Sequence, residues 1–179
     1  MIGRGASRFL AVPALAIGLT LAAPARADEA MIEECLKAAA EVDHVPAGVL
    51  VLLISVEAGR LGEVTPNMNE KGVVTSVDIG PMQVNDTWLG KIAEHWGASR
   101  EDAYRGLRDN FCANVEGGAW ILRQALDEAG GDLWEGVALY HSHKTVHKLE
   151  YMRLVYDQAM RLKREATSEV ASAGAGGGR

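Results

Sequence analysis

Basic residues are scarce in this chain of 179, where 18 Lys and Arg stand against 24 Asp and Glu for a net charge of −6. Binding to nucleic acid requires clustered Lys and Arg to neutralise phosphates, so the acidic balance argues against it. It argues equally against broad adhesion to an anionic membrane surface. Cysteine is limited to Cys35 and Cys112, which leaves one possible pairing. Beyond the first residues, no stretch approaches the about 20 uncharged apolar residues of a membrane span, so a stable membrane anchor is not expected. There is no internal repeat and no composition shift that marks a second folded domain.

Residues 1–27 read as a secretory signal. Arg4 and Arg8 make a basic start, Phe9 to Ala23 is apolar, and Ala25-Arg26-Ala27 fits the small-x-small cleavage pattern. An uncleaved anchor is the alternative, although the apolar run is short for one. Cleavage leaves 179 − 27 = 152 residues, a size for one compact domain, and removes Arg4, Arg8 and Arg26, so the charge becomes −6 − 3 = −9. Export to an oxidising compartment favours a Cys35–Cys112 bridge over two buried thiols. Such a bridge contributes ~3 to 4 kcal/mol on the loop-entropy estimate.

The rest of the pattern is nearly all helical. Met31 to Val42 places Ile32, Cys35, Leu36 and Ala39 on one face. Pro46 to Gly59 (PAGVLVLLISVEAG) reads as a fully buried helix, with Pro46 in its first turn and Gly59 at its end. Residues 60–77 have a loop composition, with Val73-Val74-Thr75 as a possible short strand. Asn85 or Asp86 can cap a helix carrying Trp88, Leu89, Ile92 and Trp96 that Gly97 ends, and Ser99 with Asp102 resembles a capping box for the next. Asn110 to Ala129 is strongly amphipathic, with Gly117 and Gly118 inside it, where close approach of another backbone is expected. Asp132 and Thr145 cap two further helices, the last with Val146, Leu149, Met152, Tyr156, Met160 and Leu162 as its apolar residues. A domain at 28–164 is therefore expected, followed by a disordered tail at 165–179 ending GAGGGR.

One carboxylate is out of place in this pattern. Helical spacing puts Glu57 on the stripe of Leu50, Leu53 and Ile54, where packing asks for a hydrophobe. Desolvation and the negative end of the helix dipole both disfavour its ionised form, so its pKa should rise. A carboxylic acid that keeps its proton near neutral pH is what general acid catalysis needs. The bland alternative is a surface Glu in a fraying last turn.

The helix ending in Glu57, a loop with Asn67 and Asn69, and Asp78-x-Gly80-x-Met82-Gln83-Val84-Asn85 followed by Trp88 together resemble the lytic transglycosylases related to goose-type lysozyme. Asn110-Phe111-Cys112-Ala113-Asn114-Val115 with Gly117-Gly118 resembles the cysteine-bearing helix of members attached to conjugation and type IV secretion machines. The resemblance covers about residues 32 to 160. It implies a mainly α, lysozyme-like domain with a minor β element by the cleft, in the periplasm. The implied reaction is cleavage of the β-1,4 bond between N-acetylmuramic acid and N-acetylglucosamine in peptidoglycan, leaving a 1,6-anhydro product. No cofactor and no metal are implied. The implied partners are glycan strands and, in the attached members, subunits of the machine.

The resemblance also carries roles to particular residues. It implies Glu57 as the single catalytic acid and base, Gln83 as a sugar-binding amide, and Tyr140 close to the acid, while Met82 reads equally as part of the cleft floor or as an ordinary core methionine. Asn85 itself reads as structural, a cap for the next helix. Asp78 and Glu63 must be weighed as a second carboxylate, since an inverting hydrolase places a base roughly 6.5 to 9.5 Å from the acid. The favoured reading of Asp78 is a loop-ordering carboxylate beside the substrate site that accepts backbone donors near Gly80, and that of Glu63 is a solvated side chain. The chain departs from the family pattern at Ala58, where Ser is common, at His141, where Asn is usual, and at His143. His141, His143 and His147 near Glu150 lack the spacing of a zinc signature and suit capping or sugar contacts better. Trp88, Trp96, Trp120 and Trp134 sit at helical spacings that make most of them core. A scaffold or glycan binder with little turnover is the competing reading, with Ala58 and His141 as its signs.

Overall fold

The computed structural model of the chain describes residues 25–176, with side chains described for 29–170; the signal segment expected at 1–27 lies almost wholly outside the described residues. The chain builds α1 (Ala25–Val42), α2 (Ala47–Glu57), a three-stranded antiparallel sheet of β1 (Val64–Met68), β2 (Val74–Ile79) and β3 (Val84–Asn85), a single 3₁₀ turn (Asp86–Trp88), then α3 (Leu89–Trp96), α4 (Arg100–Asp109), α5 (Phe111–Glu128), α6 (Leu133–His141) and α7 (Thr145–Gly176). The architecture is mainly helical with the small sheet to one side, as expected. Among the described residues no single helix is long and apolar enough to cross a membrane.

Local chemistry sets the helix boundaries. Ser99, Asn110 and Asp132 accept the backbone N–H three residues on and so cap α4, α5 and α6, and Gly97 ends α3 in the left-handed region at φ 62°. The end of α2 differs from expectation. Ala58, not Gly59, adopts the left-handed conformation (φ 50°) and returns its N–H to the Ile54 carbonyl. Gly59 is needed for a different reason, because a Cβ there would overlap the Gly80 carbonyl oxygen and the Gln83 amide.

The core is a single cluster that includes Leu50, Leu53, Ile79, Met82, Ile92, Leu107, Val115, Leu122 and Val137, each fully or almost fully buried. Each large aliphatic side chain buried this way is worth about 1.5–3 kcal/mol. Helix α2 is less enclosed than its composition suggested, since Val51 faces solvent. Cys35 and Cys112 are bridged across a sequence separation of 77 and join α1 to α5. The glycines of α5 accommodate side chains rather than a backbone: a Cβ on Gly117 would crowd Leu107, and one on Gly118 would overlap Met82.

Two expectations about α7 need correction. Its buried residues are Tyr151 and Val155, while Val146, Leu149, Tyr156 and Met160 are exposed. The helix also continues to Gly176 through the segment expected to be a disordered tail. Its Ala-rich, charged composition suits a helix once one is nucleated, and the Arg161–Glu165 pair lies at i,i+4 spacing.

Candidate active site

Strand pairing assembles a polar surface from the segment read as loop. In the register Asn67↔Ser76 and Asp78↔Asn85, alternate residues point to one face, so Asn67, Ser76, Asp78 and Asn85 meet there while Ile79 and Val84 turn into the core. Asp78 is held at both oxygens: Asn67 Nδ2 donates to Oδ2 at 2.8 Å and Asn85 Nδ2 to Oδ1 at 2.7 Å. The donors are side-chain amides, not the backbone groups near Gly80 that were expected. Asn85 also caps the 3₁₀ turn by accepting from the Thr87 N–H.

This face forms one wall of a cleft of about 800 Å³ whose lining includes Glu57, Gln83, Trp88, Tyr140 and His141. Glu57 is the last residue of α2. Burial, opposed by a hydrogen bond from Tyr151 and reinforced by the charge of Asp78, raises its pKa from 4.5 to about 7. The Tyr151 hydroxyl donates to Glu57 Oε1 at 2.6 Å. Burial and the neighbouring Glu57 charge push the Tyr151 phenol far above its ordinary value, so it remains a donor. Tyr151 was not anticipated. Its signal was a tyrosine on the alternative stripe of α7, with Val155 four residues on.

Tyr140 lines the cleft as expected but does not hold Glu57, because its hydroxyl donates to the Met82 carbonyl at 2.9 Å. Met82 itself is fully buried against Gly118, so its side chain is core and contributes nothing to the cleft surface. Gln83 sits in the left-handed region at φ 48°, a strained conformation for this residue, with its side-chain amide donating to the Gly80 carbonyl at 2.9 Å. His141 stacks flat on Tyr151, ring centroids 4.2 Å apart and planes within 1°. Burial and the charge of His147 hold its pKa below the ordinary imidazole range. Glu63 is exposed and outside the cleft lining, and His143 pairs with Glu128 at 3.0 Å.

The turn that carries Gln83 hangs on Asn114 of α5, a fully buried side chain whose importance the sequence did not reveal. Its Oδ1 accepts from the Met82 N–H at 2.8 Å, and its Nδ2 donates to the carbonyls of Ile79 at 2.9 Å and Leu107 at 2.8 Å. The signal was present: Asn114 lies on the stripe of Phe111, Val115, Gly118 and Leu122, where a polar residue must find partners.

A carboxyl with its pKa raised to about 7 at the end of a core helix, facing an amide-lined cleft beside a small antiparallel sheet, is the arrangement of a lysozyme-like domain. The chain matches the family model described as Transglycosylase SLT domain over residues 34–158, and it belongs to that family. No curated protein matches it significantly.

Proposed function

We propose that the protein is an active peptidoglycan lytic transglycosylase, with Glu57 as its one acid and base. The reading rests on one observation above the others: a carboxyl with a pKa of about 7 lines a wide polar cleft and is oriented by a phenol. In the first step Glu57 gives its proton to the glycosidic oxygen, the bond to the muramic anomeric carbon breaks, and the substrate's own N-acetyl oxygen bonds to that carbon. In the second, ionised Glu57 takes the proton of the muramic 6-hydroxyl while its oxygen displaces the N-acetyl oxygen and closes the 1,6-anhydro ring. Water is not consumed, and the acid is regenerated. Substrate assistance of this kind removes the need for a second carboxylate, which agrees with Asp78 having both oxygens engaged.

Gln83 and the Asn67–Asp78–Asn85 face supply amide and carboxylate groups suited to sugar hydroxyl and N-acetyl groups. His141 supports Tyr151, and through it Glu57. Ala58 leaves no hydroxyl after the acid, yet Glu57 keeps its partner and its raised pKa, which speaks for turnover over a purely binding role. We assign the protein to the periplasm through its N-terminal signal, and its task to local wall opening for an envelope-spanning conjugation or secretion machine, on the likeness of the Cys112 helix to attached members. The test is product analysis: after incubation with purified sacculi, mass spectrometry should find 1,6-anhydro-muropeptides. Hydrated reducing ends would replace the transglycosylase by a hydrolase, and sacculus binding without soluble product would leave only a scaffold.

A further inference from the structure

Away from the cleft lining, three side chains from distant parts of the sequence converge. A carboxylate oxygen of Asp43 in the α1–α2 turn, a ring nitrogen of His95 on α3 and a carboxylate oxygen of Glu116 on α5 all lie within 4.8 Å of one another. His95 Nε2 and Glu116 Oε1 are 2.8 Å apart. Asp43 is only 6% exposed, and its Oδ2 has no hydrogen-bond partner among the described residues. A buried carboxylate with one unpartnered oxygen, set beside a second carboxylate and an imidazole, is a costly arrangement for the apo chain, because like charges repel and an unpaired acceptor is desolvated.

We propose that Asp43, His95 and Glu116 bind one first-row divalent cation, zinc by preference, as a structural clamp between the α1–α2 turn, α3 and α5. One nitrogen and two oxygens are the donor set of such ions, with water completing a tetrahedron. Magnesium and calcium, which take oxygen ligands only, fit it poorly. Ligand–ligand separations in a zinc tetrahedron are about 3.4 Å, so small side-chain rotations bring the present spacing to that value. The supporting contacts of a metal site are also here. The Trp96 indole N–H donates to Glu116 Oε2, and the His95 ring stacks on Trp120 with centroids 4.8 Å apart, which fixes the ring plane. The competing charges are His44 and Arg123, which also act on Asp43; the terminal nitrogens of Arg123 donate to Asp127 and the His44 carbonyl, and its Nε is buried without a partner among the described residues.

The experiment uses the full chain purified without a polyhistidine tag and stripped with chelator, titrated with zinc alone by calorimetry and followed by thermal melting and tryptophan fluorescence. The proposal predicts one saturable site per chain, altered emission from Trp96 and Trp120, and a Tm rise of about 5–10 °C at a hundredfold excess over Kd. Magnesium should give none of these. D43N and H95Q should each weaken zinc binding by more than about a hundredfold, while H147A, at an exposed histidine, should leave it intact. H95Q carries the test if D43N fails to fold, because His95 is a partly exposed side chain whose loss opens no core cavity. Absence of saturable zinc binding in the parent, binding that survives H95Q, or binding lost in H147A would overturn the proposal.

Discussion

Replacing Glu57 with Gln separates stability from chemistry in a way that depends on pH. The folded carboxyl titrates at about 7 where the unfolded one titrates at 4.5. Between those values the folded chain holds a proton that the unfolded chain has released, so stability falls as pH rises from about 4.5 to 7 and is level beyond. The loss above pH 7 is about 3 kcal/mol. Gln has no such titration, occupies nearly the same volume, and still offers an oxygen to the Tyr151 hydroxyl. Melting curves of parent and E57Q followed by circular dichroism should therefore nearly coincide at pH 4 and separate progressively above it. By pH 8 the variant should melt about 6–12 °C higher. Histidine titrations contribute to both proteins alike and largely cancel in the difference. A gap independent of pH, or a parent as stable as E57Q at pH 8, would mean that Glu57 is ordinarily ionised and that the acid has been misassigned.

Three further outcomes follow from particular contacts. The Tyr151 hydrogen bond lowers the pKa of Glu57, so Y151F should move the alkaline limb of the activity profile up by about 1–2 pH units, measured as turnover of sacculi against pH. G59A should collapse the approach of α2 to the Gly80–Gln83 turn, costing about 1–3 kcal/mol in denaturant melts and most of the sugar affinity. N114A leaves one buried N–H and two carbonyls without their partner; it should cost about 3 kcal/mol or more, and retention of parental stability would show that the turn does not depend on it.

Much of this molecule was legible in its sequence because the periodic helices and their caps are local. Ser99 and Asp132 cap where the pattern placed them, and Glu57 stood out as an acid on an apolar stripe. What escaped was non-local. Strand β1 carries a proline and alternates weakly, so its pairing with β2, which creates the Asn67–Ser76–Asp78 face, had no signature within the strand itself. On α7 two stripes compete, and the one with more hydrophobes lost because Tyr151 and Val155 are the residues buried in the core and Tyr151 reaches Glu57. Tyr140 and Tyr151 were interchangeable by residue type; only the packing of α6 and α7 decides which phenol reaches the acid. Asp43, His95 and Glu116 are too far apart in sequence to form any spacing motif.

The central claim is that one carboxyl performs both proton transfers. Its most direct test is the rate of 1,6-anhydro-muropeptide release from sacculi by E57Q beside the parent, with sacculus binding measured on the same samples. The account predicts a loss of about 10²–10⁴-fold in release with binding retained; release by E57Q at a rate near the parent's would contradict it.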